Sequence, residues 1–188
     1  MRKTIFLILF LTGYFGSVNS YSIEEDRISE SRMVVKQFAR ELKGELMANL
    51  RDGGPINAIS VCSQKAPIIA DKISREKGWK VGRVSLRLRN SRNAPDAWER
   101  RALEAFEERR VKGEDIKTIE YYEALNEGGK QVFRYMKAIP VGEPCLTCHG
   151  KQIKPDLKAK LTELYPGDQA IDFSLGEVIG AFSISQSK

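Results

Sequence analysis

Two thiols and an imidazole fall within five consecutive positions of this sequence, Cys145-Leu146-Thr147-Cys148-His149. No other feature constrains the chain so tightly, because this C-x-x-C-H spacing places all three groups on one short turn. The arrangement reads as attachment of a single c-type haem. The two thiols add to the haem vinyl groups, and the adjacent imidazole reaches the iron from the proximal side. Other uses of the same residues exist. Cys145 and Cys148 can close a redox disulfide. A zinc site is a further alternative, but it would consume every soft ligand in the chain, which holds three cysteines and one histidine. A thioredoxin-like arrangement would put the cysteine pair after an N-terminal strand and at the opening of a helix. Here the pair lies late, behind a hairpin-like stretch.

The N-terminus fits the haem reading. Arg2 and Lys3 precede an apolar run from Ile5 to Phe15, followed by Ser17, Val18 and Ser20, the order of a secretory signal. At about 12 residues the run falls short of the roughly 20 that a membrane span needs. Residues 1–20 are therefore expected to be a signal removed near Ser20, leaving 21–188 as one domain in the periplasm or otherwise exported. An uncleaved run would be an N-terminal anchor, and only then would the protein touch a membrane. Export agrees with the motif, since c-type haem is attached outside the cytoplasm. The chain's 188 residues suffice for one compact domain with a real core.

The formal net charge of +6 drops to about +4 without Arg2 and Lys3. Basic residues are interspersed with acidic ones, and no basic block interleaves with aromatics, so nucleic acid is not an expected partner. A mild positive charge favours an acidic partner.

Helical spacing runs from about Ser22 to Arg51, with a capping box from Ser22 and Glu25 and apolar Met33, Val34, Phe38, Leu42, Leu46 and Leu50. Asp52-Gly53-Gly54 ends this helix, and Pro55 suits the first turn of a second. Pro67 lacks a backbone donor, so the second helix is expected to kink or restart near Ala66 before running to Gly78. Trp79 to Leu86 reads as a strand with Trp79, Val81, Val84 and Leu86 inward. Asp96 to Val111 is helical, with Trp98, Leu103 and Phe106 on the core side. Two β-like runs, Ile116–Leu125 and Lys130–Ile139, are joined by Asn126-Glu127-Gly128-Gly129, a hairpin signal. A short helix over Leu157–Leu164, a turn at Tyr165-Pro166-Gly167-Asp168 and a final strand, Glu177–Gln186, complete the pattern. It predicts an α+β domain: an antiparallel sheet of about four strands flanked by helices, with an N-terminal helical pair. Its general shape is PAS-like, an analogy of form alone.

With one histidine in the chain, a second axial histidine is excluded. Met33, Met47, Met136 and the leftover thiol of Cys62 remain as candidates for the other side of the iron, although a lone cysteine in a helix is commonly just a small core residue. The arginines of 87–92, Arg89 among them, are candidates to pair with haem propionates, because a guanidinium fork matches a carboxylate. The plain alternative is a solvated basic loop. Trp98 and Tyr165 read as packing residues.

Beyond the motif, long stretches resemble the Tll0287-like haem-binding family. AISVCSQKAPIIADKIS around Cys62 is similar to the family's helix with a cysteine followed by Ala-Pro. VSLRLRNSRNAPDAWERRALEAF resembles its arginine-asparagine segment, with Arg89, Asn90, Asn93, Pro95, Trp98 and Glu99 in matching places. CLTCHG and YPGDQAIDFSLGEVIGAFSIS resemble its C-terminal half, except that Asp172 stands where glycine is expected. The resemblance implies a PAS-like α+β fold and a haem iron held by His149 on one face and Cys62 on the other. It also implies a redox or gas sensor, a role the family often performs ahead of membrane-attached signalling domains. No such domain is evident here, so a signal is expected to pass to a separate redox or signalling protein. A thiolate ligand favours ferric iron. Reduction weakens that bond, and loss of Cys62 would open a position for a small gas such as carbon monoxide or nitric oxide. If the sulfur stays bound in both states, an electron-transfer cytochrome is the better reading. An enzyme is the weakest, because no second histidine is present to act as a distal acid or base.

Overall fold

The computed structural model describes residues 18–187. Residues 1–17, most of the expected signal, lie outside the described residues. Among those described, no helix is long and apolar enough to cross a membrane.

The N-terminal helical pair forms with the predicted break at Gly54-Pro55, although α1 begins at Val18, upstream of the start expected at Ser22. Helix α1, Val18–Ser60, carries a non-helical break at Gly54, where φ is 70° and ψ is −171°. Only glycine takes that conformation without strain, and Pro55 directly after it has no N–H to leave unpaired. Around Pro67 the chain does not break. It widens into a five-residue π-helical turn, Val61–Lys65, in which the Ala66 N–H reaches back to the Val61 carbonyl. The wider turn relieves the proline ring's conflict with the preceding carbonyl. Helix α2, Ala66–Lys77, follows, and Gly78 caps it in the left-handed region at φ 68°.

Strand β1, Lys80–Val84, leads through a short 3₁₀ turn, Ser91–Asn93, to α3, Ala97–Val111. Asp96 caps α3 through a reciprocal box with Glu99, a device worth about 1 kcal/mol. The hairpin is β2, Glu120–Glu127, and β3, Lys130–Pro140. Its turn is only Gly128-Gly129, both at positive φ, as a two-residue hairpin loop requires. Strand β2 starts later than the β-like run, because the Asp115 carboxylate accepts from the Lys117 N–H and holds that stretch in a turn. Two short helices, α4 (Glu143–His149) and α5 (Pro155–Leu164), precede β4, Val178–Ser187.

The expected α+β architecture is what forms: a four-stranded sheet in the order β1-β4-β3-β2, antiparallel throughout. One face packs on α1 and α2 through Val34, Phe38, Ile73, Tyr135 and Ile184. The other packs on α3 through Trp98, Leu103, Phe106, Met136 and Ala181. Burying Phe106 completely contributes about 2–3 kcal/mol by itself.

Three expected core positions turn out otherwise. Met33 is 58% exposed, because the stripe α1 buries is Ile28, Ser31, Val34, Val35 and Phe38. Leu86 is exposed, and Trp79 is only half-buried. Strand β1 stops at Val84, so the alternation that would turn Leu86 inward does not continue. The β1–β4 pair approaches closely at Gly180, where a Cβ would lie 2.4 Å from the Val84 carbonyl oxygen.

Candidate cofactor site

Helix α4 opens after Gly142 with Pro144 in its first turn, where a missing N–H is harmless. Cys145 and Cys148 are three apart on this helix and so share one side. Both are half-buried, and neither is in a disulfide. They lean toward different apolar clusters, Cys145 toward Val141, Ala170 and Phe173, and Cys148 toward Ile59, Leu157 and Leu161.

His149, the last residue of α4, is pinned by the segment running into β4. Its carbonyl accepts from the Phe173 N–H at 2.9 Å, and its Nδ1 lies 2.7 Å from the Ala170 carbonyl oxygen. A carbonyl can only accept, so Nδ1 carries the proton and Nε2 keeps its lone pair. Burial, then the nearby Arg89 cation, pulls the His149 pKa down to about 4, so the ring is neutral near pH 7. That is the form in which imidazole binds metals.

Arg89 is the hub of this region. Its Nε donates to Asp168 Oδ2 at 2.9 Å. Its Nη2 donates to the carbonyls of Cys148 (2.6 Å) and Ala170 (3.1 Å), and its Nη1 faces His149 Nε2 at 3.3 Å. Asp168 also accepts the Ala170 N–H at 2.8 Å. The carbonyl that orients His149 is thus itself fixed by an ion pair. The sequence marks Arg89 as a partner for propionates; here its guanidinium lies beside the imidazole.

Cys62 lies on the π-helical turn. It lines one cavity of about 110 Å³ together with Arg83, Ile139, His149, Tyr165 and Ile179. Two larger cavities adjoin it and share lining residues. One, of about 250 Å³, also touches Cys62 and Arg83. The other, of about 500 Å³, runs past Arg89, Asn90 and Tyr165. The largest space holds neither Cys62 nor His149, which meet only in the smallest. None of the methionine candidates lines that space; Met136 is buried on the α3 face of the sheet. Trp98 packs in the core and donates to Glu123 at 2.7 Å. Tyr165 is half-buried beside Cys62 and Arg89, and burial pushes its phenol pKa up.

The family model described as Tll0287-like matches residues 20–187. The chain belongs to the Tll0287-like family. Among solved structures it is similar to the crystal structure of the cyanobacterial heme-protein Tll0287, with a TM-score of 0.67 and 24% identity over 87% of this chain and 96% of that one. That likeness establishes a shared fold. No curated protein matches. In this Tll0287-like chain, the position where the resemblance would put glycine, Asp172, has φ 59° and is the one positive-φ residue other than glycine among those described. Aspartate tolerates that region better than most side chains.

Two contributors to the site carried no signal in the sequence read alone. One is the Ala170 carbonyl, because a backbone group leaves no trace in residue type. The other is the role of Asp168, which in the sequence is only part of a turn.

Proposed function

We propose that this Tll0287-like protein is an exported mono-haem c-type cytochrome, held by Cys145 and Cys148 with His149 and Cys62 as axial ligands, acting as a redox or gas sensor and not as an enzyme. The observation that carries this reading is the pairing of Cys62 with a neutral His149 across one cavity, with the imidazole proton held on Nδ1 by Ala170. Such a hydrogen bond on the far nitrogen is how metal-binding histidines are oriented. The donor set argues against zinc, since among the described residues no three His, Cys, Asp or Glu side chains converge as a metal cage. Bound there, haem would supply one-electron iron chemistry and affinity for small gases.

The chain's own residues do the rest. Asp168 and Arg89 lock the Ala170 carbonyl, and through it the plane of the His149 ring. Arg89 Nη1 is the group that must leave Nε2, while its remaining contacts to Asp168, Cys148 and Ala170 hold the side chain in place. Cys62 sits on a π-helical turn, a feature frequent at functional sites, so a change in its bonding acts directly on the junction of α1 and α2. The downstream partner is a separate redox or signalling protein.

A pyridine haemochrome spectrum with the mass of the mature protein tests the reading at its base. One porphyrin mass and a c-type spectrum are expected, and a colourless protein refutes it. Optical spectra of Cys62→Ala and wild type in both oxidation states then test the ligand; identical spectra remove Cys62 from the iron. If Cys62 stays bound in both states and the reduced protein ignores carbon monoxide, electron transfer replaces sensing.

A further inference from the structure

We propose that Arg83 is the anchor for a haem carboxylate, a role that rests on the haem reading above. Four arginines crowd this end of the sheet, and the structure separates them. Arg89 is saturated by Asp168 and two carbonyls. Arg87 donates to the Gln169 carbonyl at 3.2 Å and stacks 4.0 Å over the Phe173 ring. Arg92 is exposed. Arg83 alone enters the cavity shared by Cys62 and His149 with no hydrogen bond or ion pair among the described residues.

Its position explains why. In β1 it stands opposite Phe182 on the face covered by α1, with its guanidinium 6.0 Å from the centre of the Phe38 ring. Cys62, His149 and Tyr165 line the same cavity, and Asp71 and Glu99 line the adjoining one, but among the described residues no carboxylate forms an ion pair with it. Two arginines elsewhere that are buried are matched by carboxylates, Arg134 by Asp96 and Glu99 and Arg89 by Asp168. A half-buried cation is costly when left unpaired, and a guanidinium pairs best with a planar carboxylate that it can grip with two N–H groups. A haem propionate entering from the cavity is such a group. The surface Arg83 retains lines this cavity and its neighbour of about 250 Å³, so the fork is already presented to the space beside Cys62.

The test uses the purified haem-loaded protein and the variants Arg83→Gln, Arg83→Lys and, as a surface control on α3, Arg101→Gln. In Arg83→Gln the propionate-bending band of the resonance Raman spectrum is expected to shift. The reduction potential should fall, because a nearby cation favours the less positive ferrous state. Arg83→Lys should shift the band while keeping most of the potential, and Arg101→Gln should leave both unchanged. A wild-type band and potential in Arg83→Gln overturn the proposal. If that variant does not accumulate, an unshifted band in Arg83→Lys does the same. A crystal structure of the loaded protein decides directly: a propionate within hydrogen-bond reach of Arg83 supports the assignment, and propionates paired only with other residues refute it. Colourless wild-type protein overturns the haem reading and this anchor together, whereas a coloured protein indifferent to Arg83 overturns the anchor alone.

Discussion

Removing the charge of Asp168 should destabilise the protein far more than a surface ion pair would. The side chains of Arg89 and Asp168 are only 9% and 11% exposed. An exposed pair is worth about 0–1 kcal/mol, whereas breaking a buried one costs about 3–5 kcal/mol by stranding the other charge. Asp168→Asn keeps the shape and the acceptor for the Ala170 N–H. It loses the charge-assisted bond to Arg89 Nε and turns an amide donor toward that donor. Arg89 retains two carbonyl acceptors, which offset part of the loss, so the expected cost is about 3 kcal/mol. At about 2–4 °C per kcal/mol for a domain of this size, the melting midpoint should fall by about 6–12 °C. Urea unfolding followed by far-ultraviolet circular dichroism measures the free energy. Combining Asp168→Asn with Arg89→Ala should recover about 2 kcal/mol relative to the summed single effects. An Asp168→Asn protein within about 1 kcal/mol of wild type would refute the claim that a buried pair holds the His149 shelf.

Gly180→Ala should cost about 1–3 kcal/mol in the same unfolding assay, because its Cβ would meet backbone of β1, which cannot step aside as a side chain can; an unchanged midpoint refutes this. Tyr135 is fully buried and donates to Glu120 at 2.7 Å, and burial, then that bond, raises its pKa well above the ordinary range. The unfolded chain therefore releases this proton near pH 10 while the folded chain keeps it, so its contribution is intact below pH 10 and lost above. Stability should fall by up to about 1.4 kcal/mol per pH unit there, and Tyr135→Phe should flatten that decline.

Features whose cause is local were legible in the residues themselves. Gly54-Pro55 and Pro67 mark the break and the widened turn, because a missing donor or Cβ acts within a few residues. The Gly128-Gly129 turn and the C-x-x-C-H string are equally local, whereas the Asp96–Glu99 box, equally local, went unread. The resemblance extended this reach, pointing to Cys62 and to an unusual backbone at Asp172. Met33 and Leu86 misled for one reason: helical or alternating spacing names a face without saying where an element ends or which stripe of it meets the sheet.

The residues alone thus determined the order of elements, the architecture and the candidate side chains for a cofactor. Tertiary packing alone decided that Met136 faces α3, that Arg89 is spent on Asp168 while Arg83 stays free, and that Ala170 aims the imidazole. Each depends on groups distant in sequence sharing a few ångströms of space. Burial and charge pairing there are set by how α1, the π-helical turn and the ends of β1 and β4 fit together, and no single segment encodes that fit.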